Sequence, residues 1–130
     1  MATGMQNGED PRYLQAICSP KHFLAYDIED NEPVGRVAFT ANVSQRDLIS
    51  YYLPAWRAAA PIVKSTMCSY NALDINDGNG AIPACGHDLM LNEVYRKQFL
   101  FSGYVVSDCD SIGEPSFEMY IAKRPDTQNV

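Results

Sequence analysis

Apolar and polar positions along the chain change their spacing several times, and each change marks an element. Tyr13-Leu14-Gln15-Ala16-Ile17-Cys18-Ser19 is a short apolar run closed by Pro20. It predicts a buried strand over 13–19 whose end delivers Lys21 and His22 into a loop. Residues 27–35 are acidic and contain Pro33 and Gly35, which predicts an exposed loop. From Ser44 the pattern turns helical: Leu48, Tyr51 or Tyr52, Ala55 and Ala59 recur at three and four, and Ser44 and Asp47 stand in the spacing of a capping box. Pro54 inside that run removes a backbone donor and is expected to bend or split the helix.

Residues 64–69 are β-prone and short, with Tyr70 and Asn71 at the carboxyl end. Residues 74–83 hold Asp77-Gly78, Asn79-Gly80 and Pro83, turn chemistry that predicts a loop of insertion length. Asp88 is placed to cap a second helix in which Leu91, Val94, Tyr95 and Phe99 share a face. Gly103-Tyr104-Val105-Val106-Ser107 then reads as a strand covered on both faces, ending in Ser107-Asp108-Cys109-Asp110. Strands alternating with helices predict βαβ units, parallel pairing and an α/β fold.

A length of 130 residues, 46% hydrophobic and 20% charged, suits one modest globular domain. It excludes a complete (β/α)8 barrel of about 250 residues. Sixteen acidic against ten basic residues give a net charge of -6, with Lys and Arg scattered, so neither nucleic acid nor an anionic membrane is an expected partner. No run is long enough to span a membrane, and residues 1–11 lack the basic start and apolar middle of a secretory signal. Cys18, Cys68, Cys85 and Cys109 are 50, 17 and 24 apart, which fits neither zinc nor thioredoxin-like spacing.

In parallel α/β architectures, working residues sit just beyond the carboxyl ends of strands. Three such ends are chemically loaded here: Lys21 with His22, Tyr70, and Asp108. Together they could grip a polyhydroxylated ligand and attack it. Each has a plainer reading, since a lone His is often structural, a strand-end Tyr often packs, and Asp108 could cap whatever begins near Ile112. Asp108 and Asp110 are not expected to form a metal pair. Asn42-Val43-Ser44 is a glycosylation sequon, a triplet common by chance.

In order along the chain, Gly4-Met5-Gln6, Pro11-Arg12-Tyr13-Leu14-Gln15, Pro20-Lys21-His22-Phe23, Val43-Ser44-Gln45-Arg46-Asp47-Leu48 and Tyr52-Leu53-Pro54 are followed by Met67-Cys68-Ser69-Tyr70-Asn71-Ala72, Pro83-Ala84-Cys85 and residues 101–109. This ordered set resembles the catalytic barrel of the family three glycoside hydrolases, in the branch of β-xylosidases and α-L-arabinofuranosidases. The resemblance covers roughly residues 1–112, as a partial barrel domain; residues 113–130 follow the family only loosely. It implies about half of a (β/α)8 TIM-like barrel, with Asp108 as nucleophile, Lys21 and His22 bonded to sugar hydroxyls, Tyr70 beside the carboxylate and Met67 in the pocket wall. Cys109, where glucosidase-like members usually have Trp, points to the xylosidase branch.

The resemblance further implies retaining hydrolysis of terminal β-linked sugars, an oligosaccharide or glycoside as substrate, and no cofactor. An aspartate and an arginine that hold the sugar would precede Met1, and the acid/base glutamate would lie on a following α/β sandwich domain, since Glu114 and Glu118 come too soon after Asp108 for that role. The chain is therefore expected to be a fragment, inactive alone, of a secreted parent. Cys68 and Cys85 flank the turn-rich loop and could be bridged there. The alternatives are a non-catalytic remnant that binds carbohydrate or a partner, and a small α/β domain with no sugar site.

Overall fold

The structure, a computed structural model, describes residues 1–31, 34–113 and 117. In chain order it begins with helix α1 (Ala2–Gln6), followed by strands β1 (Asp30–Asn31), β2 (Val34–Gly35) and β3 (Thr40–Asn42). Three helical segments then run end to end: α2 (Gln45–Asp47), a π-helical stretch (Leu48–Tyr52) and α3 (Leu53–Ala59). Strand β4 (Ser65–Cys68) comes next, then the hairpin strands β5 (Ala72–Asp74) and β6 (Ile82–Pro83) and a 3-10 turn (Ala84–Gly86). A π-helix (Leu89–Gln98), strand β7 (Tyr104–Ser107) and a second 3-10 turn (Ser111–Gly113) complete the described elements.

The helix after Ser44 starts as its sequence dictates. The Ser44 hydroxyl accepts the Asp47 N–H at 3.1 Å and donates to the Asp47 carboxylate at 2.7 Å. Pro54 does not split the run. It falls at the first turn of α3, and the segment before it widens so that the Leu53 N–H reaches the Leu48 carbonyl, five residues back. Leu48 and Leu53 thereby stay on the buried side.

β4 and β7 pair in parallel, Ser65 opposite Tyr104 and Cys68 opposite Ser107, with the Leu89–Gln98 helix in the connection. This is the predicted βαβ unit. On the other edge of β4, Phe23 bridges Cys68 in parallel, and Phe23 N–H reaches the Met67 carbonyl at 2.8 Å. A second sheet runs β3-β5-β6, the first pair parallel and the second antiparallel. The core lies between β4 and the helices. Phe23 and Tyr95 are 4.8 Å apart, Phe101 stacks on Tyr95 at 4.4 Å, and Trp56 meets Phe23 edge-on at 5.0 Å. Burying a ring such as Phe23 contributes roughly 1.5–3 kcal/mol.

Several expectations are corrected. Residues 13–19 are not a strand: Leu14 makes one antiparallel bridge to Asn7, and Tyr13, Leu14 and Ile17 are exposed. An apolar run alone does not supply a partner strand; the residues that meet β4 are 20–23. Within the predicted loops, β1 and β2 form a two-residue ladder and β5 and β6 form a hairpin, so the 27–35 and 74–83 segments are loops only in part. Pro33 lies outside the described residues, as do Glu114 and Glu118. The Asp88 side chain accepts no capping hydrogen bond from the backbone; its carboxylate accepts from the Asn92 amide at 2.7 Å. β7 is not covered on both faces, since Tyr104 and Val106 are exposed. The α/β class holds in the form of a small mixed fold.

Gly103 opens β7 for a steric reason. A Cβ there would overlap the Lys64 carbonyl and lie 2.8 Å from the Phe101 ring. The amino-terminal segment is attached differently, by polar contacts. Gln6 is buried; its Nε2 donates to the Ile62 carbonyl at 2.9 Å and its Oε1 accepts from the Cys18 N–H at 3.2 Å.

Candidate active site

Phe23, β4 and β7 bring three polar side chains to one place. His22 precedes the residue that bridges β4, Tyr70 follows β4, and Asp108 follows β7. His22 and Asp108 meet across the carboxyl end of β4, with His22 Nε2 3.1 Å from Asp108 Oδ2. Two strand spacings of about 4.8 Å separate their backbones, so both side chains lean over the middle strand. The Lys21–His22 peptide is cis.

Asp108 is buried and well fixed. Its N–H donates to the Cys68 carbonyl at 3.1 Å, its Oδ1 accepts the Cys109 N–H at 2.8 Å, and its carbonyl accepts the Ser111 N–H at 3.0 Å. Two residues later Asp110 takes a positive φ of 59°, which Asp tolerates better than most side chains and which closes the turn. One carboxylate oxygen thus faces a backbone amide and the other an imidazole.

Burial pushes the His22 imidazole below the ordinary histidine range; Asp108 pulls it back up, and Lys21 adds to the lowering. His22 is therefore neutral at pH 7, and its contact with a carboxylate oxygen calls for the proton on Nε2. Tyr70 is buried, and burial together with the Asp108 charge pushes its phenol up, so it remains a hydroxyl. It can donate to an oxygen but cannot act as a base at neutral pH.

The structure thus gathers His22, Tyr70 and Asp108. Lys21 is exposed and lines an open groove with Tyr51, Tyr52 and Trp56; it acts on the trio through its charge at His22. Met67 sits on β4, half-buried, and its backbone bonds Pro20 and Phe23, which fixes the segment carrying His22. Two neighbours were not foreseen. The Tyr26 ring lies 4.7 Å from His22 and 6.1 Å from Tyr70, and the Arg36 guanidinium stands 5.3 Å over the Tyr70 ring while pairing with Glu29 at 3.0 Å. Arg36 follows directly on an acidic stretch, which was the available signal. Cys68 and Cys85 form a disulfide, with Cα atoms 5.1 Å apart. Among the described residues no cluster of His, Cys, Asp and Glu is arranged to hold a metal ion. Among the described residues no helix is long and apolar enough to cross a membrane.

A carboxylate, a neutral imidazole and a phenol thus converge at the ends of strands. The pattern of the glycosyl hydrolase family 3 N-terminal domain matches residues 1–124. The chain is 41% identical over 113 residues to a probable exo-1,4-β-xylosidase of Aspergillus clavatus, covering 84% of this chain and 14% of that protein. It is 37% identical over 122 residues to β-D-xylosidase 3 of Arabidopsis thaliana, covering 92% of this chain and 15% of the relative. Among solved structures, a β-glucosidase from Listeria innocua in complex with isofagomine matches with a TM-score of 0.62 at 30% identity, over 87% of this chain and 14% of that one. The chain belongs to glycoside hydrolase family 3, a family of glycosidases. It spans about one seventh of the length of these relatives.

Proposed function

We propose that this chain carries the nucleophile side of a retaining glycosidase that removes terminal β-linked sugars, above all β-xylosides. The contact between His22 and Asp108 at 3.1 Å, beside Tyr70, carries this reading. The xylosidase names of the relatives favour xylose over glucose. In the same proposal residues 1–112 are about half of a (β/α)8 barrel, and the parent protein supplies the other half, a carboxyl-terminal α/β sandwich domain and secretion.

An Asp108 oxygen attacks the anomeric carbon as the bond to the leaving oxygen breaks, and a covalent glycosyl-enzyme forms. A second carboxyl, about 5–5.5 Å away, protonates the leaving oxygen and then deprotonates the water that releases the sugar. That group is not among His22, Tyr70 and Asp108. The Cys109 N–H and the His22 Nε2–H hold the carboxylate in line for attack. Lys21 and Tyr70 donate hydrogen bonds to sugar hydroxyls and His22 Nδ1 accepts one, and these bonds tighten as positive charge develops on the ring. Met67 offers an apolar wall.

The test is covalent trapping. A 2-deoxy-2-fluoro-xylosyl fluoride needs no acid to expel its leaving group, so the 130-residue chain should gain one sugar at Asp108 by mass mapping, and Asp108→Asn should gain none. Aryl xyloside turnover by the chain alone is expected to be absent, for want of the acid/base carboxyl. Activity of the parent open reading frame on aryl xyloside, glucoside and arabinofuranoside then ranks the sugars. No labelling and no activity on any of the three would overturn the hydrolase reading in favour of a binding remnant.

A further inference from the structure

Cys68 occupies the middle of the site. Its backbone faces Phe23 on one side and Ser107 on the other, so it stands between the segment that presents His22 and the strand that presents Asp108. Its carbonyl takes the Asp108 N–H, and its sulfur is bonded to Cys85 in the Ala84–Gly86 turn. That turn is tied back to the chain after β4 by the Ala84 N–H, 3.0 Å from the Asn71 carbonyl.

A second link reaches the same disulfide from the other side of Asp108. Ser111 is buried, and its N–H donates to the Asp108 carbonyl at 3.0 Å. Its hydroxyl lies 3.3 Å from Cys85 Sγ and 3.4 Å from the Ser69 carbonyl. The chain before and after the carboxylate is therefore held by one covalent bridge: upstream through Cys68, downstream through Ser111 resting on Cys85. A bond that served only to close the loop between residues 68 and 85 would need neither contact.

We propose that the Cys68–Cys85 disulfide and Ser111 form a positioning clamp that keeps the Asp108 carboxylate on His22, so that the competence of the site depends on the redox state of this pair. None of the three touches the sugar; they act through Asp108. The functional meaning rests on Asp108 being the nucleophile, whereas the coupling itself does not. Reduction by a dithiol such as dithiothreitol puts two electrons and two protons into the bridge, giving two thiols while the reductant closes to its own cyclic disulfide. Two unbonded sulfurs must move apart to van der Waals contact, which displaces the Ala84–Gly86 turn and the Ser111 hydroxyl that rests on it.

The experiment follows the His22 imidazole by NMR pH titration in three backgrounds: the oxidised chain, the chain reduced with dithiothreitol, and oxidised Ser111→Ala. Each is measured with and without Asp108→Asn, alongside circular dichroism and the rate of Asp108 labelling by the fluorosugar. In the oxidised chain Asp108→Asn moves the His22 midpoint down, because the carboxylate that raises it is gone. In the other two backgrounds that displacement should fall to about half or less, as expected when two groups lose contact. Labelling should slow by about tenfold to a hundredfold, the effect of a small misplacement of an attacking atom. An equal displacement in all three folded backgrounds would overturn the clamp. If reduction unfolds the chain, Ser111→Ala, which keeps the bridge, decides on the same terms. Coupling that is lost on reduction with no labelling even when oxidised sinks the nucleophile and leaves the clamp standing.

Discussion

β4 reads Ser-Thr-Met-Cys, and three of its four residues are buried; β7 beside it reads Tyr-Val-Val-Ser, and Tyr104 and Val106 face solvent. Composition would have ranked them the other way round. β4 is covered because it is contacted on both edges, by Phe23 and by β7, and because its hydroxyls find partners inside. Ser65 Oγ meets Ser19 Oγ at 2.9 Å, and Thr66 Oγ1 meets the Tyr95 hydroxyl at 2.7 Å. Among the described residues β7 is paired on one edge only. Burial is thus a property of neighbours, and a polar strand is stable inside when its groups are hydrogen-bonded.

Four substitutions probe that contrast. Gly103→Ala should have the largest effect, a loss of at least about 3 kcal/mol in urea unfolding, because the added carbon meets the Lys64 backbone and one of the two chains must give way. A loss well below that would mean β7 can slide along β4, and the register is soft. Tyr95→Phe comes next, costing about 1–3 kcal/mol by leaving the buried Thr66 hydroxyl without its partner. Adding Thr66→Val to Tyr95→Phe should then restore most of the loss, since the pair becomes apolar on both sides. Failure to recover would show that β4 is held by something other than this hydroxyl pair. Val106→Thr should be smallest, within about 0.5 kcal/mol, as for a solvent-facing strand position. A markedly larger loss would place a cover over that face of β7.

What could be read from residues alone divides along the same line. The helix after Ser44 was legible because a hydroxyl three residues before a carboxylate is a local device, and β4 and β7 were legible as short runs bounded by turns. Pairing was less so. Residues 13–19 carry a strand's composition without a strand's partner, while β5 and β6 adjoin turn chemistry and depend on a three-residue ladder to distant Thr40–Asn42 and a two-residue ladder to each other. At the site, His22, Tyr70 and Asp108 were each visible at an element's end. Their grouping at one rim followed from the strand ends; the direct contact of His22 with Asp108 did not, since it is made across Cys68, far from both in the chain. Lys21 reaches solvent, and its charge acts on the His22 imidazole. Tyr26 and Arg36 join by ring contacts that no local pattern encodes.

Gln6 has a consequence for motion. One buried amide joins the amino-terminal segment to the end of α3 by accepting from Cys18 and donating to Ile62, while Tyr13, Leu14 and Ile17 bury little. The segment is fastened like a latch, by a few directional bonds and the small apolar contacts of Ala2 and Cys18. Its Gln15 and Cys18 amides are expected to exchange with solvent before those of β4 in a hydrogen-exchange measurement, because few bonds hold them.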